Sequence, residues 1–270
     1  MRRVGGYRLE RVLGQGATGV VYAASGEGGL VALKLLRPEY AAEDVVRARF
    51  LREARLGRRV DAPHVVPILE VGEVDGLTYL VMPFSIGGSL ADRLRAVRQL
   101  TVDETVVLAA QLGRGLDALH DQGVLHRDIK PSNVLLDGDG RAALADFGLA
   151  RAADSTRLTG EGQVLGSLHY LAPELIEGGE ATPASDVYAL GCLLYECLAG
   201  EPPFAGGSAA EIAFSHLAEA PPDPRERRPE LSDELTAALV AALEKDPAGR
   251  PTTGTALARM LHVARNGKPL

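Results

Sequence analysis

Lysine is scarce in this chain. Of 29 basic residues only four are lysine (Lys34, Lys130, Lys245 and Lys268), and the other 25 are arginine. Cysteine is scarcer still: Cys192 and Cys197 are too few for a disulfide framework or a cysteine metal site. Five positions apart on a helix, they stand about 140° apart around its axis and cannot pair, which points to core thiols in a reducing compartment. No apolar run is long enough to cross a bilayer, and the longest, Val187 to Leu198, is interrupted by Glu196. Met1-Arg2-Arg3 is not followed by an apolar stretch, so a secretory leader is not expected and a cytoplasmic location is. A surplus of positive charge is missing too. The net charge of −7 speaks against general nucleic-acid binding. No internal repeat is visible. What remains is an ordinary globular composition, 46% apolar and 24% charged, over 270 residues. That length is near the size at which one core divides, so a two-lobed unit fits.

Against so little lysine, the placement of two of the four is informative. Lys130 lies in His126-Arg127-Asp128-Ile129-Lys130-Pro131-Ser132-Asn133, and Asp146-Phe147-Gly148 follows. Asp128 can accept a proton from an attacking hydroxyl, and Lys130 can neutralise charge on a moving phosphoryl group. Asn133 and Asp146 offer the hard oxygen ligands that magnesium prefers. Upstream, Gly14-Gln15-Gly16-Ala17-Thr18-Gly19 is weak evidence alone, since dinucleotide sites share the spacing. Val20-Val21-Tyr22 continues as a β-branched, aromatic run, so a hairpin over phosphates is expected there rather than a helix. The next strand, Val31-Ala32-Leu33-Lys34, ends in a lysine suited to the α- and β-phosphates. Glu53, on a helix expected from about residue 43 to 59, is the candidate partner that orients it. Both phosphate positions call for a compact ammonium, not a planar guanidinium.

These segments, together with Ala172-Pro173-Glu174, Asp186, Gly191 and Arg250, form an ordered series over roughly residues 7–262. In that series the chain resembles the eukaryotic-like (Hanks-type) serine/threonine protein kinases, in their bacterial, actinobacterial-like branch. The resemblance implies an α+β, bilobal fold with a small β-rich N-lobe (about 7–82), a hinge (83–88), a helical C-lobe (89–262) and a tail (263–270). It implies ATP and Mg2+ as cofactors, with Mn2+ as a substitute. Protein serine or threonine hydroxyls would be the phosphate acceptors, with a homodimer for trans-autophosphorylation. No nucleic acid and no membrane span are expected. Relatives often carry a membrane span and an outer domain beyond the kinase, so a membrane-anchored parent stays open.

By the same resemblance the nucleotide lies against Leu13, Gly14, Gln15, Gly16, Ala17, Gly19, Val21, Ala32, Lys34, Met82, Pro83, Ser85, Ser89 and Leu135. Pro83 stands where most relatives carry an acidic residue, but it keeps the carbonyl that reads adenine and lacks only the N–H. Lys130 and Gly166-Ser167 mark the serine/threonine branch, and Ser167 is expected to bridge Asp128 and Lys130. Arg49, Arg127 and Arg151 are expected to gather a phosphate on the activation segment. Thr159 is the first candidate for that phosphate, with Thr156 and Ser155 behind it. His126 is expected to organise backbone, Asp186 to brace the catalytic loop, and Glu174–Arg250 to anchor the activation segment. Gly57 is a departure: relatives usually carry an apolar side chain there, and glycine contributes none. The alternative functions are a pseudokinase scaffold that binds nucleotide without turnover, and a small-molecule kinase. The first usually lacks a lysine or aspartate that this chain retains. The second lacks the protein-substrate features around Glu174 and Arg250.

Overall fold

The structure, a computed structural model, describes residues 3–16, 19–41, 43–147 and 163–266. A six-stranded antiparallel sheet comes first in the chain, in the order β1-β2-β3-β4-β6-β5. Its strands are β1 (Arg3–Val4), β2 (Tyr7–Gln15), β3 (Gly19–Gly26), β4 (Gly29–Leu36), β5 (Glu70–Val74) and β6 (Leu77–Pro83). The hairpin between β5 and β6 turns on Asp75-Gly76, with φ of 50° and 73°. That Asp-Gly pair supplies the left-handed backbone a two-residue hairpin needs. The glycine-rich segment is a hairpin as well: β2 and β3 pair antiparallel, with Gly14 opposite Val21.

Register then sets the N-lobe side of the site. Lys34 is opposite Val21 on one side of β4, and Ala32 is opposite Met82 on the other. Helix α1 (Pro38–Ala41) is short, and α2 (Asp44–Gly57) carries Glu53. Val46, Phe50, Leu51 and Ala54 of α2 are buried, whereas Arg52 and Arg55 face solvent. The arginines of this helix are therefore mostly a solvated face, as amphipathic spacing dictates.

Beyond the linker the chain is mainly helical. Helix α3 (Leu90–Val97) starts at a capping box in which Ser89 and Asp92 satisfy each other's backbone amides. Thr101 and Glu104 do the same for α4 (Val102–Asp121). A two-stranded hairpin, β7 (Val134–Leu136) with β8 (Ala142–Leu144), lies between the catalytic-loop sequence and Asp146. Then follow α5 (Gln163–Leu168), α6 (Pro173–Ile176), α7 (Pro183–Ala199), α8 (Ala209–Ala218), α9 (Asp233–Ala242) and α10 (Gly254–Asn266). Helix α7 is buried almost all round and forms the middle of the C-lobe core. Cys192 and Cys197 lie within it, buried and unpaired, their thiols pushed up by burial. Among the described residues, no helix is long and apolar enough to cross a membrane.

Candidate active site

The site gathers on a loop that the rest of the C-lobe pins down. Asp186, near the start of α7, is buried and accepts from the backbone N–H of His126 and of Arg127, each at 2.8 Å. Its Oδ2 also lies 2.8 Å from His120 Nε2. One carboxylate thus holds two consecutive amides, which lets Arg127 take a left-handed φ of 65°. Asp146, with φ of 61°, is the second site residue in that region. Such backbone costs on the order of 1–3 kcal/mol per residue and persists where surroundings over-determine it. His126 is fully buried and burial holds its pKa down, so its imidazole is neutral. Its Nδ1 accepts from the Asp128 amide at 3.3 Å.

Around Asp128 three side chains converge. Lys130 Nζ lies 2.8 Å from Oδ2, Ser167 Oγ donates to Oδ1 at 3.0 Å, and Asn133 Nδ2 donates to Oδ2 at 2.8 Å. Lys130 also donates to Ser167 Oγ at 2.6 Å, so the serine joins base and ammonium across 39 residues of chain. Asn133 Nδ2 donates to the Asp128 carbonyl as well, and its Oδ1 accepts from the Ser132 hydroxyl at 3.5 Å with a lone pair left for a cation. Burial pushes the Asp128 carboxyl up. The charge and hydrogen bond of Lys130, with that of Ser167, outweigh it and hold the pKa below the ordinary aspartate value.

Lys34 and Glu53 are paired differently from expectation. Lys34, buried, lies 2.9 Å from Asp146 Oδ1, and Glu53 Oε1 instead accepts from Arg127 Nη1 at 3.2 Å. The expected Lys34–Glu53 pair is not formed among the described residues. Two cations and two carboxylates from four segments form two pairs, neither of them the expected one. The physical reason is proximity: a charge in a half-buried site pairs with an opposite charge that folding brings beside it. Asp146 Oδ1 is buried and makes no well-aligned hydrogen bond, with the Lys34 ammonium as its close positive neighbour. A divalent cation suits that oxygen and Asn133 Oδ1 chemically. Among the described residues no group of three or more His, Cys, Asp or Glu could hold a metal. Two protein oxygens plus phosphate oxygens are what magnesium commonly uses at nucleotide sites.

Gly57 contributes no side chain, as expected. Its position is not vacant: a Cβ there would meet Phe147 Cε2 at 2.5 Å and Ile68 Cδ1 at 3.1 Å. The Phe147 ring fills the space and meets His126 edge-on, with centroids 6.4 Å apart.

Of the expected nucleotide contacts, Leu13, Gly14, Gln15 and Gly16 lie on or beside the end of β2, and Gly19 and Val21 lie on β3. Ala32 and Lys34 are on β4, Met82 and Pro83 end β6, and Leu135 lies on β7, bridged to Ser89. Ser85 donates its hydroxyl to the Leu136 carbonyl. Arg37, absent from the expected set, donates from its Nε to the Gly16 carbonyl at 3.1 Å and ties the end of β4 to the glycine loop. No motif signals that contact. Ala17, the Arg49 side chain, Arg151, Ser155, Thr156 and Thr159 lie outside the described residues.

Below the site, Arg250 is buried and holds Glu174 through two hydrogen bonds of 2.8 Å. It also donates to the carbonyls of Ala184, Glu244 and Lys245.

A β-sheet lobe, a helical lobe and a braced Asp-Lys-Asn loop facing a lysine on β4 define a protein kinase. The chain matches the protein kinase domain family over residues 7–261 and belongs to it. It is 40% identical to the serine/threonine-protein kinases PknH and PknE of Mycobacterium tuberculosis over 262 residues, 96% of this chain. It spans less than half the length of those relatives, 42% and 46% respectively. The crystal structure of the Mycobacterium tuberculosis PknI kinase domain superposes with a TM-score of 0.77 at 31% identity, covering 97% of both chains. The chain is thus a Hanks-type bacterial kinase domain, for which ATP and a divalent metal are implied. Nothing in these findings favours a pseudokinase.

Proposed function

We propose that this chain transfers the γ-phosphoryl group of ATP to serine or threonine hydroxyls of proteins, through one kinase domain over residues 7–262 hinged at 83–88. The observation that carries the proposal is the Asp128 carboxylate held by Lys130, Ser167 and Asn133 at 2.8–3.0 Å. Asp128 orients the acceptor hydroxyl and takes its proton, while Lys130 neutralises charge beside it. General-base action of this kind contributes about 10²–10⁴ in rate, and the rest comes from positioning and electrostatics. Lys34 would steady the α- and β-phosphates, with Glu53 as the carboxylate that orients it. Magnesium, with manganese as a substitute, would be held by Asn133 and Asp146 and would supply charge neutralisation across the phosphates.

Adenine would be read by the Pro83 carbonyl and the Ser85 amide, between Val21 and Ala32 above and Leu135 below, with Leu13, Met82 and Ser89 at the edges. Phosphorylation of Thr159 by a second copy would place an anion against Arg49, Arg127 and Arg151. Arg127 is now held by Glu53, so a phosphate there competes with a carboxylate for the same guanidinium. The domain would work in the cytoplasm, free or as part of a membrane-anchored parent. Incubation with γ-labelled ATP and a generic protein substrate tests the reading: label appears on protein serine and threonine. Label only on an aminoglycoside or choline, or nucleotide binding without transfer, would refute it.

A further inference from the structure

The two limbs of the glycine hairpin are supported unequally. The second limb rests on β4: Gly19 is opposite Leu36, and a Cβ on it would meet the Leu35 carbonyl oxygen at 2.2 Å and Lys34 Cγ at 3.5 Å. The first limb pairs with β3 as far as Gln15 opposite Val20, and beyond that Gly16 lies in the open. A Cβ on Gly16 would meet nothing nearer than the Gly19 carbonyl oxygen at 3.8 Å. The Gly16 N–H donates to that oxygen at 2.8 Å, and the Gly16 carbonyl accepts from Arg37 Nε at 3.1 Å. Among the described residues, no other side chain outside the hairpin hydrogen-bonds to Gly14, Gln15, Gly16 or Gly19. Arg37 is itself firmly based. It follows the end of β4 directly, and its carbonyl accepts from the amides of Tyr40 and Ala41 at 3.0 and 2.9 Å as α1 begins. One strand therefore carries the Lys34 ammonium and leads straight into the residue that tethers the free end of the glycine loop.

We propose that Arg37 is a positioning residue for the nucleotide phosphates: its Nε–H ties the first limb of the glycine hairpin to the strand that carries Lys34, so that loop backbone and ammonium close on the same phosphates. The inference deepens the kinase reading and rests on it for the identity of the ligand. What acts is the tether and not the charge, because the bond runs from Nε to a neutral carbonyl while Nη1 lies 3.7 Å from Glu39 Oε1. Glutamine places an amide N–H the same number of bonds from Cα as arginine places its Nε–H, without the charge. Methionine has the same reach and carries a methyl group there, so it fills the space and donates nothing.

Arg37→Met and Arg37→Gln are compared with wild type by calorimetric binding of two probes, adenosine and a non-hydrolysable ATP analogue with Mg2+. Transfer of label from γ-labelled ATP is followed beside it. Adenosine has no phosphate for the loop to cover, so it reports the adenine contacts alone. A hydrogen bond of this kind is worth roughly fivefold in an equilibrium constant. Arg37→Met is therefore expected to weaken the analogue about fivefold and adenosine less than about twofold, and Arg37→Gln to restore the analogue to within about twofold of wild type. An unchanged analogue affinity in Arg37→Met overturns the proposal. An equal loss for adenosine reduces Arg37 to a packing residue of the N-lobe and also overturns it. So does a loss in Arg37→Gln as large as in Arg37→Met, which would put the charge itself on the phosphates. If wild type binds the analogue yet transfers no label, the kinase reading fails while the binding comparison still decides the role of Arg37.

Discussion

Replacing Arg250 with alanine tests whether the braces of the C-lobe carry the energy that their geometry implies. The guanidinium is fully buried, holds both oxygens of Glu174, donates to three carbonyls and stacks over Tyr188 at 4.8 Å. Removing one partner of a buried pair leaves the other charge uncompensated, at a cost of about 3–5 kcal/mol. For a chain of this size each kcal/mol moves Tm by ~2–4 °C, so Arg250→Ala should lower Tm by roughly 6–20 °C. Arg250→Lys keeps the charge but loses the two-point fork, and should fall between the two. Replacing both partners, as in Glu174→Gln with Arg250→Met, should cost less than Arg250→Ala alone.

The pH dependence has a definite sign. Burial pushes the Glu174 carboxyl up, but hydrogen bonds from Arg250 and Ser185 bring it below its ordinary 4.5. A folded-state pKa held down means stability that is present above the unfolded pKa and lost as pH falls through the folded one. The deficit of Arg250→Ala should therefore be largest near neutrality and shrink as pH falls, because burial without the guanidinium makes the lone carboxylate easier to protonate. Differential scanning calorimetry across that range is the assay. A Tm within about 2 °C of wild type at neutral pH, or a deficit that grows on acidification, would refute the reasoning.

Three further outcomes are expected. Ser167→Ala removes the hydroxyl between Lys130 and Asp128. Hydrogen bonds to charged groups are worth about 1.5–3 kcal/mol, so kcat should fall about ten- to a hundredfold, with KM for ATP little changed and most activity regained in Ser167→Thr. Steady-state kinetics showing unchanged kcat would contradict that bridge. The Asp128 carboxyl is held below its ordinary value, so it stays ionised above it, and a pH–rate profile at saturating ATP should show no acid limb from this group above about pH 5. Pro83→Glu should shift nucleotide affinity little, because the carbonyl is common to both; a calorimetric gain of about tenfold would count against adenine reading by that carbonyl.

Much of the fold is legible in the sequence because its signals are local. The serine and threonine caps at Ser89 and Thr101 announce α3 and α4 through the acidic residue three positions on, and both boxes form. Ser208 and Glu211 have the same spacing and form the same box. The β-branched run after Gly19 identifies a hairpin rather than a helix, and the hairpin is there. The cross-pairing of Lys34 with Asp146 and of Glu53 with Arg127 is not legible. Four charges on four separate segments can pair in more than one way, and only their tertiary distances choose. Gly57 fails for a related reason. From sequence a glycine is an absence, and the ring that occupies its space comes from a residue 90 positions later in the chain.

The most direct test of the central claim separates holding nucleotide from moving phosphate. Asp128→Asn keeps the shape of the side chain and removes the base. It is expected to bind Mg-ATP with near-wild-type affinity by calorimetry, while transfer of label from γ-labelled ATP to protein falls by about 10²–10⁴. Turnover close to wild type in Asp128→Asn would contradict the account.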